Sequence, residues 1–331
     1  MPRAQRRPLL ATLRARAGRT LADSAWWSLA QARRLPRAQP ARHGVERLAD
    51  IPYGTTGLRA HTLDVYRPID RKGPLPVVLY VHGGGFRILS KDTHWLMAIL
   101  FARRGYVVLN INYRLAPAHP FPAAIEDASD ALAWAVANAA RFGGDATRLV
   151  LAGESAGANL VTGLAIATSW QRPEPWAKRL WDRGVRPGAV LPACGVLQVS
   201  DMARFERKKK LPSFLRDRLH EVENAYLPPG SPGTSNRDLA DPLVFLENAS
   251  APERPLPPFF AGVGTADILL DDTRRLAAAL ARLGTPCVAN YYPREIHAFH
   301  ALLWRPNARA FWSDMFAFLD ERVPPGVAVS A

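Results

Sequence analysis

Through the middle of the chain, short apolar runs alternate with longer stretches in which apolar residues recur every three or four positions. The runs at Val77–Val81, Tyr106–Asn112, Leu149–Ala152, Phe259–Gly264 and Val288–Tyr292 have the length and continuous apolarity of strands buried on both faces. A strand pattern at Arg59–Tyr66 precedes them, another lies within Gly188–Val199, and none is legible before about Ile51. Helical periodicity fills Thr93–Arg104, Pro122 to about Arg141, and the Ala-rich stretch after Ser155. Pro122 suits a helix start because the N–H it lacks would be unpaired there. Strands alternating with helices predict an α/β fold with a mostly parallel central sheet covered by helices on both faces. The pattern breaks between 200 and 241. There the charge run Arg207–Lys210 precedes a helix expected at Ser213–Ala225 and a Pro/Gly loop at Pro228–Gly233.

With 331 residues and 48% hydrophobic content, the chain can build one large domain around a substantial core. No apolar run approaches the roughly 18 residues of a membrane span, so a cytoplasmic enzyme is expected. The net charge of +14 is uneven. Up to Arg47 there are eleven arginines against Asp23 and Glu46, which makes most of the excess an N-terminal arm. Arg6-Arg7 is followed by Arg14, Arg16 and Arg19, which interrupt the apolar segment an export signal needs. An Arg-rich, acid-poor start also fits an organelle transit peptide, which composition alone does not separate from a basic arm. Basic residues are not interleaved with stacking aromatics in any nucleic-acid-reading motif, so no nucleic-acid partner is expected. A helix drawn over Ala22–Leu35 carries Trp26 and Trp27. It is expected to pack over a pocket, with a weak membrane-surface contact through the basic arm as the rival reading. Cys194 and Cys287 sit in apolar contexts and read as buried thiols. No Cys/His spacing suits a metal, so neither metal nor cofactor is expected.

Three features carry chemistry. Gly153-Glu154-Ser155-Ala156-Gly157 is a G-x-S-x-G sequence between an apolar run and a helical stretch, where a strand turning sharply into a helix would expose the serine hydroxyl. His82-Gly83-Gly84-Gly85 follows a strand and presents backbone N–H groups with no Cβ to shield them. Its spacing matches neither phosphate-binding glycine motif. A serine hydroxyl needs an imidazole to take its proton and a carboxylate to orient that imidazole. Asp267 lies just past one late strand and His297 past the next, in the chain order Ser, Asp, His. Asp271 and Asp272 compete with Asp267, but both begin a helix, where acidic groups answer the dipole. His300 is the rival to His297, and His82 is expected to brace the glycine loop.

Taken with Asn112-Tyr113-Arg114-Leu115-Ala116-Pro117 and Phe121-Pro122-Ala123-Ala124, these motifs resemble the hormone-sensitive-lipase-like family of α/β-hydrolases, the bacterial family IV esterases and lipases. The resemblance spans roughly Leu75–Phe318. It implies hydrolysis of carboxylic esters of short to medium acyl chain through an acyl-enzyme, with Ser155 as nucleophile, His297 as base then acid, and Asp267 as its orienter. It also implies an oxyanion hole from the amides of Gly83, Gly84 and Ala156. Glu154 departs from the aspartate of many members, which puts its contacts in question. The organisation expected is a basic arm at 1–50 that helps form a helical cap, and a catalytic domain at 51–331 with a cap insert at about 200–241. Phe205, Phe214, Leu215 and Leu219 are candidates to line that cap. Amide, carbamate or lactone hydrolysis uses the same machinery, and a non-catalytic small-molecule receptor on this fold is the alternative of another class.

Overall fold

The computed structural model describes residues 31, 33–70, 73–208, 210–228 and 238–325. The Trp26–Trp27 pair, most of the expected 22–35 helix and nearly two thirds of the arm lie outside them. Eight strands form one sheet in the order β1-β2-β4-β3-β5-β6-β7-β8. They are β1 (Val45–Pro52), β2 (Thr62–Pro68), β3 (Leu75–Val81), β4 (Val107–Ile111), β5 (Gly144–Glu154), β6 (Pro187–Ala193), β7 (Phe259–Gly264) and β8 (Cys287–Tyr292). β1 and β2 pair antiparallel to each other, and β2 is antiparallel to β4; all other pairs are parallel.

β1 is the element least legible in the sequence. It begins at Val45, ahead of Ile51, and carries Glu46, Arg47, Ala49 and Asp50 at positions where an edge strand faces solvent or ion partners. Its mixed polarity hides it from a hydrophobic pattern, and pairing with β2 is what makes it a strand. Arg59–His61, expected inside a strand, forms a single turn of 3-10 helix before β2.

Alternation along β3 distributes the core to both faces. Val77, Leu79 and Val81 point into one cluster, Val78 and Tyr80 into the other. The second cluster is closed by α1 (Trp95–Arg104) and by α9 (Pro306–Arg322), through Phe101, Phe311, Trp312 and Met315. The first is closed by α2 (Ala123–Asn138), α3 (Ala156–Ser169), α4 (Pro175–Asp182), α5 (Arg204–Lys208), α6 (Ser213–Tyr226), α7 (Pro242–Asn248) and α8 (Leu270–Arg282). All fourteen residues of α3 are buried, which accounts for its wall-to-wall small and aliphatic composition.

The chain leaves β3 for β4 on one side and returns to β5 on the other, so the loops after β3 and β5 open into the same crevice. This reversal of strand order is where ligand sites of parallel sheets form. In register, Val81 sits beside Gly153. The glycine loop and the serine turn are thereby neighbours.

Beside β2, a buried ion cluster locks the sheet to the segment that follows the glycine loop. Lys91 and Asp64 are both fully buried and 2.7 Å apart. Asp50 adds a second carboxylate to Lys91 at 2.7 Å, while Arg47 reaches Asp64 at 2.7 Å. The Lys91 backbone is held on both sides, its N–H donating to Asn112 Oδ1 and its C=O accepting from Asn110 Nδ2. Lys91→Ala should lower unfolding free energy by about 3 kcal/mol, because it leaves Asp64 buried with one cation fewer. Urea denaturation would measure this, and a loss below about 1 kcal/mol would show the cluster to be dispensable.

Candidate active site

The serine turn is built by close backbone approach. Ser155 adopts φ 51° and ψ −113°, a conformation that costs a non-glycine residue about 1–3 kcal/mol and persists only where its surroundings impose it. Those surroundings are three hydrogen bonds. The Ser155 N–H donates to Ala193 O at 2.9 Å, and its carbonyl accepts from Val196 and Asn159 N–H at 3.2 and 3.3 Å. A Cβ on Gly157 would stand 2.0 Å from the Val81 carbonyl, so no other residue lets α3 start this close to the end of β3. The glycine loop is comparably constrained. Gly84 has φ 105°, and a Cβ there would lie 2.1 Å from the Ile88 carbonyl. Among the described residues, no protein acceptor takes the N–H of Gly83 or Gly84. Ala156 opens α3, where a first-turn amide has no intrahelical acceptor.

His82 braces this loop, as its position suggests. Its Nδ1 lies 2.7 Å from Gly83 O and its ring stacks on Tyr113 at 4.2 Å, while the Tyr113 hydroxyl donates to His82 O. Burial pushes the His82 imidazole down to about 3, so it stays neutral. The Asn112–Pro117 segment completes the support: Ala116 N–H donates to Phe86 O, and Arg114 forks onto the buried Asp127 at 2.7 and 2.9 Å.

Asp267 follows β7 and His297 follows β8. The structure brings them together, His297 Nδ1 lying 2.8 Å from Asp267 Oδ2. Asp267 Oδ1 accepts from Leu269 N–H, which fixes the carboxylate. The His297 side chain is 41% exposed, open to a substrate, whereas the Asp267 side chain is sealed. Desolvation works against a charged ring, but the Cys194 sulfur and the Asp267 carboxylate hold the His297 pKa well above the ordinary imidazole value. No hydrogen bond joins Ser155 Oγ to His297 among the described residues. The ring's second neighbour is the Cys194 thiol, with the Cys194, Asp267 and His297 donor atoms all within 4.8 Å of one another.

The rival residues are engaged elsewhere. Asp272 is fully buried, paired with Arg204 at 2.7 Å and accepting from Leu197 N–H. Its task is to anchor α5 and the β6 loop to α8, more than to answer a helix dipole. Asp271 pairs with Lys208 at the surface. His300 turns away from Asp267 to Glu154, with Nε2 2.7 Å from Oε2. The other Glu154 oxygen meets His94 Nε2 at 2.8 Å. Burial opposes the Glu154 charge, yet the two imidazoles outweigh it and keep its carboxyl well below the usual range. Burial likewise opposes charge on His300, but its contacts with Cys194 and Glu154 push it up to about 10. The longer carboxylate therefore has a structural use, bridging two histidines directly behind Ser155. Sequence reading missed His94 and the placement of Cys194, since neither belongs to a local motif; only contacts across strands reveal them.

The comparisons with known proteins give the family. A model of the alpha/beta hydrolase fold family matches residues 78–301, and the chain belongs to that family, in its hormone-sensitive-lipase-like group. It is 32% identical over 255 residues to the carboxylesterase NlhH of Mycobacterium tuberculosis, covering 76% of this chain and 75% of that one. It is 30% identical over 228 residues to an acetyl esterase of Salmonella schwarzengrund, covering 67% and 65%. Among solved structures, the esterase LipW of Mycobacterium marinum superposes with a TM-score of 0.71 at 30% identity, over 90% of this chain and 88% of that one.

Removing Glu154 should destabilise the protein in a pH-dependent way. The Glu154 contribution is full above about pH 4.3 and is lost as pH falls through its lower folded value. The His300 contribution is full below about pH 6.5 and is lost as pH rises through about 10. Glu154→Ala should thus cost most between these limits, about 3 kcal/mol, with a smaller difference from wild type on either side. Urea denaturation at three pH values checks this; a pH-independent difference would contradict it.

Proposed function

We infer that the chain, a carboxylic ester hydrolase, cleaves esters of short to medium acyl chain through an acyl-enzyme on Ser155. The observation that carries this reading is the Asp267–His297 pair at 2.8 Å, on the same edge of the sheet as a serine held in a strained strand-to-helix turn beside unpaired amides. Asp267 fixes one proton on Nδ1, and Nε2 acts as the base once the ring has lost its second proton, a loss that the raised His297 pKa moves to higher pH. Entry of the ester brings Ser155 Oγ and His297 into hydrogen-bond contact, a tightening usual when a substrate fills such a site. Ser155 Oγ attacks the ester carbonyl as its proton passes to His297. The oxygen that becomes negative is taken by the N–H groups of Gly83, Gly84 and Ala156, each donor worth about 10²- to 10³-fold in turnover. His297 then protonates the departing alcohol. Water, deprotonated by the same ring, releases the acid and restores the serine.

The 200–241 segment acts as a cap. Its helix α6 sits on the glycine loop: Phe86 stacks on Tyr226 at 3.7 Å, Val222 fills the space a Gly85 side chain would need, and Arg87 pairs with Glu221 at 2.7 Å. Of the residues expected to line it, Phe205 and Leu219 are buried, Leu215 is half-buried, and Phe214 is 67% exposed and faces solvent. A helix fixed this firmly over the loop limits the acyl chain. The 1–50 arm as a further part of the cap belongs to the same reading, although residues 1–30 lie outside the described structure.

Ser155→Ala should reduce p-nitrophenyl butyrate hydrolysis to background, a loss on the order of 10⁶-fold, and abolish the organophosphate adduct that intact mass finds on wild type. His297→Ala should fall as far, while His300→Ala keeps most turnover per folded molecule. A Ser155→Ala protein that still hydrolyses the ester would overturn the assignment, and a folded wild type that neither turns over nor labels would favour a binding protein. Across p-nitrophenyl esters, rates should peak at short or medium chains. Faster hydrolysis of long-chain emulsions than of butyrate would remove the capping role.

A further inference from the structure

Cys194 holds a position that ester hydrolysis does not require. It leaves β6 with φ 38°, its N–H donating to Gly262 O at 2.9 Å, and it is fully buried. Its sulfur, one His297 nitrogen and one Asp267 oxygen lie within 4.8 Å of one another, each brought from the end of a different strand. In a tetrahedral zinc site, bond lengths of about 2.0–2.3 Å place neighbouring donors roughly 3.2–3.8 Å apart, so the His297–Asp267 pair, hydrogen-bonded at 2.8 Å, parts by about half an ångström to admit an ion while the sulfur stays within reach. Sulfur, imidazole nitrogen and carboxylate oxygen are the donor types that zinc takes, and a set with one thiolate and one imidazole excludes Mg²⁺ and Ca²⁺. Access is available from the side on which His297 is 41% exposed.

A second observation points the same way. His300 is 98% buried, and its Nδ1 has no hydrogen-bond partner of good geometry among the described residues, although the ring neighbours Cys194. Its Nε2 is held by Glu154 at 2.7 Å. With Glu154 on one nitrogen, the ring turns its other face toward the Cys194 sulfur, and a positive ring beside a sulfur favours the thiolate that a metal takes. The His300 Nδ1–H borders the sulfur and donates toward it.

We propose that Cys194, His297 and Asp267 bind one thiophilic divalent cation such as Zn²⁺, with water at the open position, and that the bound cation halts ester hydrolysis. Binding replaces the thiol proton with a sulfur–metal bond and releases that proton to solvent, while the proton that His297 shares with Asp267 leaves Nδ1 for Nε2, so that Nδ1 and the carboxylate are both free to take the ion. The inhibitory arm rests on His297 as the base, because a metallated ring can no longer accept the Ser155 proton. The binding arm does not. The sequence expectation of no metal was drawn from local spacing, and this set is assembled only by the sheet.

The test uses the metal-free full chain as wild type, Cys194→Ala, Cys194→Ser and Ser155→Ala. Calorimetry should find one Zn²⁺ per wild-type chain, and p-nitrophenyl butyrate turnover should fall in step with occupancy, recover with EDTA and ignore Mg²⁺. Both Cys194 variants should need at least about tenfold more Zn²⁺ for half-inhibition, each measured against its own metal-free rate. Co²⁺ added to wild type should produce a thiolate-to-metal charge-transfer band in the near ultraviolet, a readout that does not depend on any variant folding. Ser155→Ala should bind Zn²⁺ as wild type does. If Ser155→Ala kept its activity, the catalytic reading would fail, while stoichiometry and the cobalt band would still judge the metal site. Equal zinc sensitivity in wild type and both Cys194 variants, absence of stoichiometric binding, or a cobalt spectrum without the thiolate band would each overturn the proposal.

Discussion

The contact on which everything else depends is between two pieces of backbone. The first turn of α3 rests on the last carbonyl of β3 at a distance that only Gly157 permits, and this fixes how far β5 runs before the chain reverses. With β5 and α3 set, Ser155 has no relaxed conformation left, and the bonds to Ala193, Val196 and Asn159 hold it where it is. The glycine loop can then lie against the turn because β3 and β5 are paired in register, Val81 to Gly153. A strained residue and a loop of unpaired amides are costly items. The buried helix α3, packed on all sides, is what outweighs them.

Polar networks behind this contact do the positioning that apolar packing cannot. Glu154 and its two histidines form one layer beneath Ser155, and His82 with Tyr113 forms another beneath the glycine loop. Lys91 with Asp64 ties the strand behind them to the segment in front. Each is nearly sealed from water, so each is strong only while complete; loss of one partner strands a charge. A serine set on such a base is held in place without its side chain making many contacts.

Cys194 connects the two sides of the crevice. It borders His297, which is partly open to solvent, and His300, which faces the buried carboxylate. The charge on Glu154 thus reaches the His297 ring through His300 and Cys194. The hydrophobic face of the sheet beneath, closed by Phe311, Trp312 and Met315, prevents water from relaxing that arrangement.

The sequence by itself determined the parallel core, because strands buried on both faces must be continuous apolar runs; four runs marked β3, β4, β7 and β8 to within about two residues, the run at Leu149–Ala152 marked only the apolar end of β5, which begins at Gly144, and β8 proved a half-exposed edge strand. It also determined the serine turn, the glycine loop, and the Ser, Asp, His order, since each is local and demands small or titratable residues at set positions. Tertiary structure alone decided what the pattern could not encode. β1 is a strand only by pairing, as its polar residues face ions and solvent. Asp267 was separated from Asp272 by which side of β7 and α8 each faced, and His297 from His300 by one turn of chain that sends the second ring to Glu154. Glu154, His94, His300 and Cys194 come from four separate segments. Their meeting depends on strand order and register, quantities set by the packing of the whole sheet and by no stretch of sequence short enough to read.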